Sequence, residues 1–408
     1  MTRHPHLHRA AARLLLAAAA LLPALAAAPA IAQSVAPAAF VVNNAGDSIT
    51  SYTLNPDGTL NRIGIFATGD LPQALSLSPD GKILAVGHGT SASTPEELRF
   101  YGVNADATLT PLLTTTTPDS PLDMLWLNND VLAVTRTVIG PSEVYAYAFD
   151  RSSNLMTTRD IISTGTFTSG IAVAGNTLYA DAGFLSGGSL SAWSFDASGD
   201  LEFVETEAIG GGGVSVDYAA TPDGRFLYAA GGIGGNEDEL HAFGIAPSGA
   251  LTPLSGTPFL LDGRAPAEVI VDENGERLYV SFNWRNAGTG IIRAYEIDPA
   301  TGAITDTGDV FVLGGGVGDR GDTGPLAILG DVLFNLDMST FRDGVLGLQT
   351  IRINPDGSMS HIDLLDTGTA LGNVSDLAVW GGMPIPEPGS AMALAALGTI
   401  GLLRRRRA

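Results

Sequence analysis

A repeated hairpin in the sequence predicts an all-β fold. The predicted fold is a seven-bladed propeller in which each blade has four strands. Seven segments alternate polar and apolar residues, reach an Asp/Asn/Pro/Gly turn and restart on an apolar residue. Each is typical of a hairpin with one buried face. The large apolar residue at its fourth position recurs every 46 to 56 residues, at Tyr52, Tyr101, Tyr147, Trp193, Phe243, Tyr295 and Ile351. A hairpin repeat of that length indicates a propeller blade.

A second hairpin lies between successive copies of the first, for example ALSLSPDGKILAVG at 74–87. Each blade therefore has an inner, a second, a third and an outer strand. Residues 374–380 form an inner strand with no successor, and residues 40–43 form a second strand with no predecessor. Pairing them would complete one blade from both ends and remove the open sheet edges. A β-sandwich and a solenoid are the alternatives.

The amino terminus has the pattern of an export signal. His4, His6, Arg9 and Arg13 precede an apolar stretch over 14–25, and small residues for cleavage follow at 30–32. This order indicates a secretory signal peptide over residues 1–32, with a buried globular helix as the alternative. The partners implied are the Sec-type export machinery and signal peptidase, and the propeller domain is predicted over 33–383.

The carboxyl terminus carries a second signal, predicted as a helix over residues 391–403. This apolar stretch is too short to span a bilayer, which takes about 20 residues. A short motif, Pro386-Glu387-Pro388, precedes the apolar stretch, and four arginines follow it. Clusters of basic residues favour the cytoplasmic side of a membrane. The residues of this signal are Pro386, Glu387, Pro388, Arg404, Arg405, Arg406 and Arg407.

This order of elements resembles the PEP-CTERM sorting signal of Gram-negative bacteria, here at residues 384–408. The resemblance implies an exosortase that recognises and removes the tail, and transient membrane contact through its helix. It also implies that the protein is exported to the cell envelope, the cell surface or the extracellular matrix.

The amino-acid composition of the chain limits the kinds of partner that it can bind. The chain has no cysteine, so a large core and not disulfides must hold the exported fold together. It has 43 acidic and 21 basic residues, and seven of the basic residues lie in the two terminal signals. This acidic excess disfavours nucleic acid and anionic membrane surfaces as partners of the propeller, and neutral or cationic ligands fit better.

The blade segments themselves resemble the seven-bladed lactonase (phosphogluconolactonase-like) and YVTN propeller families over residues 38–380. SPDGKILAVG, TPDGRFLYAAG, NGERLYVSF and the Y-x-L-N-P-D-G-T-L hairpin carry this resemblance. It implies a lactone hydrolase, in which family members often have P-x-H at the start of an inner strand. Here the matching positions read Pro72-Gln73-Ala74 and Pro266-Ala267-Glu268, without the histidine.

Turn lengths indicate which face binds. Connections from second to third strands are long and varied, and long loops on a rigid scaffold favour binding residues. The candidate binding residues on this loop-rich face are His88, Glu96, Glu97, Arg285 and Arg342. For His88, a solvated loop histidine is the alternative.

A carboxylate set appears when the starts of the inner strands are aligned. The shared position reads Ala74, Asp123, Gly170, Asp217, Glu268, Pro325 and Asp376. In a propeller this position faces the mouth of the central channel, and converging oxygens suit Ca²⁺ or another divalent cation. In the alternative, these acids accept hydrogen bonds from neighbouring inner-strand amides or line a wet channel. Without a cation, some would have raised pKa values.

Three functions remain open from the sequence. The first is a non-enzymatic binding or scaffold propeller, requiring no cofactor, whose partners are exopolysaccharide or envelope proteins. The second is a secreted lactonase-type hydrolase with a cation at the channel mouth. The third is a purely structural envelope protein.

Overall fold

A computed structural model of the chain describes thirteen stretches that together cover most of the predicted propeller. They are residues 36–89, 96–136, 141–166, 168, 170–182, 188–209, 214–233, 238–262, 266–282, 290–313, 324–337, 345–370 and 376–381. All belong to one compact unit of the chain, Ser34–Ala408. The predicted signal peptide, the sorting tail and the helices predicted in them lie outside these residues.

Twenty-nine strands in the described residues form seven antiparallel sheets, one for each blade. Blade 1 contains both ends of the fold, and blades 2 to 7 follow in chain order. The inner strands, from blade 1 to blade 7, are β29 (Leu377–Trp380), β4 (Pro72–Leu77), β8 (Pro121–Trp126), β12 (Ile171–Ala174), β16 (Val214–Ala220), β21 (Pro266–Val271) and β25 (Leu326–Leu329). The second strands are β1 (Ala38–Asn43), β5 (Ile83–His88), β9 (Val131–Arg136), β13 (Thr177–Ala182), β17 (Phe226–Ile233), β22 (Arg277–Phe282) and β26 (Val332–Asp337).

Third and outer strands complete each sheet. The third strands are β2 (Ser48–Leu54), β6 (Glu97–Val103), β10 (Pro141–Asp150), β14 (Ser189–Phe195), β18 (Glu239–Ile245), β23 (Ile291–Ile297) and β27 (Val345–Ile353). The outer strands are β3 (Leu60–Ala67), β7 (Leu109–Thr116), β11 (Leu155–Thr166), β15 (Leu201–Ala208), β24 (Ile304–Val312), β28 (Met359–Ala370) and, in blade 5, the two pieces β19 (Leu251–Pro253) and β20 (Phe259–Leu260). A short 3₁₀ turn lies at Asn44–Gly46. None of the described segments is a helix long and apolar enough to cross a membrane.

Both ends of the chain build blade 1, as the sequence predicts. Strand β29 pairs antiparallel with β1, with Trp380 opposite Ala38 and Leu377 opposite Val41. The amide of Val42 donates to the carbonyl oxygen of Asp376 at 3.1 Å and extends the pairing. The described strands differ slightly from the predicted ones, since β29 begins at 377 and β1 begins at 38. The predicted seven-bladed propeller, closed by its terminal strands, is confirmed.

The residues in the tight turns on one face of the propeller explain why those turns form. In the turn after β2, the amide of Gly58 donates to the carbonyl of Asn55 at 2.9 Å, and Gly58 has a φ of +84°. Glycine takes this left-handed conformation without a steric penalty. The carboxylate of Asp57 accepts the amide of Thr59 at 3.0 Å and its hydroxyl at 2.6 Å. The same chemistry recurs at the third-to-outer turns of other blades.

The hydrophobic core consists of seven clusters, and each cluster lies between two adjacent blades. Between blades 2 and 3, for example, Phe100 stacks on Phe149 at 4.7 Å, and Trp126 meets both rings edge-on. A second-strand tyrosine also contacts the next blade. The hydroxyl of Tyr179 donates to the carbonyl oxygen of Gly249, in the next blade, at 2.9 Å. Each blade is therefore buried on two faces, and the inner strands meet around a central channel.

Candidate functional site

The four acidic residues predicted at the channel mouth lie at the starts of inner strands. Asp123, Asp217 and Glu268 lie within β8, β16 and β21, and Asp376 directly precedes β29. Each side chain is partly exposed to solvent although protein surrounds it. The four acids therefore share one position, the start of an inner strand, and their hydrogen bonds indicate what they do.

Asp376 connects blade 1 to blade 2. One carboxylate oxygen accepts the amide of Leu377, the next residue along the chain, at 2.7 Å. The other oxygen accepts the amide of Leu75, on the inner strand of blade 2, at 2.7 Å. Charge-assisted bonds of this kind are stronger than bonds between neutral groups, so Asp376 ties two inner strands together.

The same arrangement recurs in alternate blades. Asp123 of blade 3 accepts the amide of Met124 at 2.7 Å and that of Ile171, in blade 4, at 2.9 Å. Asp217 of blade 5 accepts the amide of Val269, in blade 6, at 2.7 Å. For these aspartates, the observed contacts are those of the alternative reading, in which the acids accept amides of the neighbouring inner strand.

Glu268 differs from the three aspartates. Its carboxyl group interacts with that of Asp217, and the interaction contributes to the pKa shifts of both groups. Two carboxyl groups can share a hydrogen bond only when one of them carries a proton. A hydrogen bond between Glu268 and Asp217 would therefore require a proton on one of them.

Burial raises the pKa values of all four acids. It raises the pKa of Asp123 to about 6 and, together with the charges of Asp123 and Asp217, that of Asp376 to about 7. Burial is also the largest cause for the pair, and the charge of Asp217 and its hydrogen bond raise the pKa of Glu268 further. The charges of neighbouring acids also raise the pKa values of Asp217, Glu268 and Asp376, because like charges disfavour the ionised form.

The Ca²⁺ site predicted from these residues gains no support from their geometry. No group of three or more His, Asp or Glu side chains within the described stretches is arranged to hold a metal ion. Both oxygens of Asp123 and Asp376 already accept amides. A cation at the mouth stays a prediction.

His88, predicted on the loop-rich face, lies at that end of its blade but is not a loop residue. It is the last residue of β5, and its side chain is only 1% exposed, so the alternative of a solvated loop histidine is wrong. Its Nε2 accepts the amide of Gly69 at 3.1 Å and lies 2.8 Å from the hydroxyl oxygen of Thr68. Burial and the nearby charge of Arg99 lower the pKa of His88 to about 4, so the ring is neutral at physiological pH.

We expect His88→Leu to lower the free energy of unfolding by about 1–3 kcal/mol, because the buried amide of Gly69 would lose its acceptor. Urea unfolding followed by circular dichroism measures the change. His361→Leu is the matched control, since His361 is exposed on β28 and should stay within about 0.5 kcal/mol of the wild type. Equal stability of the two variants would show that His88 is not held in this way.

Of the other four predicted binding residues, two lie in the described part of the chain and two lie outside it. Glu97 begins β6 and forms an ion pair with Arg99 at 2.6 Å, so its carboxylate has a partner. Glu96 precedes this strand, and its backbone carbonyl accepts the amide of Thr117 at 3.0 Å. Arg285 and Arg342 lie outside the described residues, as do the residues of the sorting signal.

Two features were missed by sequence reasoning. Gln73 ties blade 2 to blade 3, because its Nε2 donates to the hydroxyl of Ser120 at 2.6 Å and to the carbonyl of Pro121 at 2.7 Å. A polar residue between Pro72 and Ala74 in an inner strand was the available signal. A cavity of about 250 Å³, lined by residues 127–130, 176 and 195–197, lies on the tight-turn face, opposite the predicted binding face.

Comparisons with known proteins agree with the predicted sorting signal and with the predicted propeller fold. The PEP-CTERM protein-sorting motif matches residues 384–407. The chain is therefore an exported protein that is targeted to the cell surface. No curated protein matches the chain.

Several solved structures share the fold. A putative 6-phosphogluconolactonase from Bacteroides uniformis has 15% identity and a TM-score of 0.64, covering 84% of this chain and 99% of that one. The periplasmic gluconolactonase of Pseudomonas aeruginosa has 15% identity and a TM-score of 0.63, covering 84% and 98%. A functionally unknown protein from Desulfotomaculum acetoxidans has 15% identity and a TM-score of 0.64, also covering 84% and 98%. At this identity the likeness shows the propeller fold and no activity.

Proposed function

We propose that this exported propeller is a binding or scaffold module of the cell envelope or extracellular matrix, where exopolysaccharide or envelope proteins are its partners. The position of the sorting motif carries the proposal. The motif begins at residue 384, and the last described strand ends at Trp380. Removal of the tail would therefore spare every strand in the described part of the chain.

Three of the candidate side chains, those of Asp123, Asp376 and His88, support a non-catalytic role. Asp123 and Asp376 use their carboxylates to join blades, and His88 is neutral, buried and hydrogen-bonded. Most of the acidic excess of the chain lies in the propeller, since Glu387 is the one acid in the two terminal signals. A strongly negative module fits neutral polysaccharide or basic protein surfaces better than anionic polymers.

The experiment expresses the full chain in a host with and without the exosortase and determines its mature carboxyl terminus by mass spectrometry. The expected result is loss of the tail and release to the surface only when the exosortase is present. Glu387→Gln should retain the tail, whereas the matched control Glu202→Gln, at an exposed residue of β15, should be processed normally. An intact tail in every strain would contradict the proposed sorting.

The binding role needs its own measurement. Purified propeller without the tail should co-sediment with exopolysaccharide from the same host, and urea-unfolded propeller should not. Equal recovery of folded and unfolded protein would contradict specific binding. Absence of binding together with absence of catalytic turnover would favour the purely structural role.

A second candidate, a lactonase-type hydrolase, is favoured by the Asp217–Glu268 pair. The pair would combine a proton donor and a proton acceptor, both partly exposed at the starts of inner strands. The pKa of Asp217 is raised to about 7, and the pKa of Glu268 is raised well above its usual range. Such a pair suits general acid–base chemistry. Two of the similar structures carry gluconolactonase names.

In that reaction, water would add to the lactone carbonyl carbon while the carboxylate of the pair takes its proton. The ring carbon–oxygen bond would then break, and the protonated carboxyl would give its proton to the ring oxygen. The product is an open-chain hydroxy acid.

The test measures hydrolysis of glucono-δ-lactone by the tail-free propeller, with and without EDTA. As an enzyme, the protein should lose about 10²–10⁴-fold in rate on Glu268→Gln and nothing on Glu202→Gln. Loss of activity in EDTA would show that the reaction requires the predicted cation. Absence of turnover above the uncatalysed rate would remove the hydrolase candidate for this substrate.

A further inference from the structure

The interface between blades 6 and 7 is polar at a position where the other six interfaces are apolar. The fourth residue of every second strand packs toward the preceding blade and is almost completely buried. From blade 1 to blade 6 it is Val41, Val86, Val134, Ala180, Ala229 and Val280. In blade 7 it is Asn335, whose side chain is 0% exposed. Blade 7 thus buries a carboxamide where its siblings bury a methyl or isopropyl group.

A second carboxamide lies beside the first. Gln349, on β27, is directly opposite Asn335 in the strand register and is also 0% exposed. Residues directly opposite each other in an antiparallel pair project to the same face. Leu333 and Ile351 lie two residues away on this face and pack in the cluster that blade 7 shares with blade 6. Both carboxamides therefore face blade 6.

Neither carboxamide has a partner within the described part of the chain. Oδ1 and Nδ2 of Asn335 and Oε1 and Nε2 of Gln349 are all buried and make no hydrogen bond. Buried polar groups in native proteins are almost always satisfied, and an unmet one costs free energy. A polar molecule bound between the blades would satisfy all four of these atoms.

The chemistry of the occupant follows from the atoms. A carboxamide offers one acceptor oxygen and two N–H donors. A cation would satisfy only the oxygens, an anion would satisfy only the N–H groups, and an apolar group would satisfy neither. A hydroxyl both donates and accepts, so it matches both ends of each amide. Asp337, 2% exposed on the same face of β26, adds a buried carboxylate next to this position.

We propose that the interface of blades 6 and 7 is an internal binding site for hydroxyl groups, with Asn335 and Gln349 as its ligands. Ordered water and a small polyol carry the same hydroxyl chemistry, and experiment distinguishes these two sources. The site is separate from the channel-mouth carboxylates and does not depend on the proposed surface role.

A high-resolution crystal structure of the tail-free propeller tests the site directly. In polyol-free buffer, density should lie within hydrogen-bond distance of both carboxamides. Crystals soaked in glycerol identify the source, because a polyol site would show glycerol in place of water and a water site would remain unchanged. An empty space, or a direct hydrogen bond between Asn335 and Gln349, would overturn the proposal.

Substitutions give an independent test in solution. With the site occupied, Asn335→Val should lower the unfolding midpoint, because it removes the occupant's partner and leaves Gln349 unmet. The double variant Asn335→Val with Gln349→Leu should recover much of the loss, since it removes both polar groups. Asn61→Val, at an exposed residue of β3, is the control and should change little. A higher midpoint for Asn335→Val alone would show that the site is empty and overturn the proposal.

Discussion

Replacing Trp380 with alanine is expected to lower the free energy of unfolding by about 3–5 kcal/mol, the cost of truncating a buried aromatic side chain. Trp380 is 3% exposed and packs with Phe40 and Leu84 between blades 1 and 2. Its ring also covers the backbone of Gly81, where a β-carbon would collide with it. The loss therefore falls on the strand that joins the two ends of the chain.

Urea unfolding followed by far-UV circular dichroism measures this effect without relying on tryptophan fluorescence. Leu260→Ala is the control, because Leu260 is 75% exposed on β20 and its truncation should cost less than about 0.5 kcal/mol. A chain shortened to end at Gly381 should keep wild-type stability. If Trp380→Ala behaves like the control, the terminal pairing does not stabilise the propeller as described.

The fold was predictable because its elements are local. Each hairpin is encoded by alternation and by a turn sequence such as the one at 55–58, and the repeat length fixes the blade. Even the long-range pairing of β1 with β29 followed from counting, since one second strand and one inner strand lacked partners. Strand ends were less certain, because alternation fades where the chain leaves the sheet.

The site was predictable in position but not in its contacts. Aligning the inner strands found Asp123, Asp217, Glu268 and Asp376, but their amide partners belong to the next blade. His88 was misread for the same reason, because Thr68 and Gly69, about 20 residues earlier, bury it. Local sequence does not encode which neighbouring backbone group a side chain will reach.

Asn335 is an informative exception. The repeats within this one chain reveal it, because VLFN in blade 7 stands where ILAV and VLAV occur in blades 2 and 3. A polar residue at a position that is apolar in every sibling repeat is a local conflict with the fold. Such conflicts are expected at functional or strained sites.

The pH dependence of stability should report the channel-mouth carboxyls. Their pKa values in the folded protein are raised above the unfolded values of about 4, so the folded state binds more protons between pH 4 and pH 7. Their contribution to stability is therefore complete below about pH 4 and is lost as the pH rises through about 6 to 7. Buried neutral His88, with its lowered pKa, acts in the opposite direction.

Glu268→Gln separates the carboxyl contribution from these opposing groups. At the acidic end of the range, where the raised pKa keeps Glu268 protonated, the variant should match the wild type, because an amide resembles the neutral carboxyl group. Once the pH is high enough to ionise Glu268, the variant should melt about 2 °C or more above the wild type, since it cannot add a charge to the repelling set. Thermal unfolding across pH 5 to 8 measures this widening difference.

Exposed Glu202→Gln controls for the loss of one charge and should give a difference that stays flat with pH. A flat difference for Glu268→Gln as well would mean that Glu268 does not change its charge between pH 5 and pH 8. The hydrolase candidate would then lose its proton donor, whereas the blade-joining bonds of Asp123 and Asp376 would be unaffected. The widening difference, by contrast, would establish that a carboxyl group on the inner strands of a surface-exported propeller loses its proton between pH 5 and pH 8.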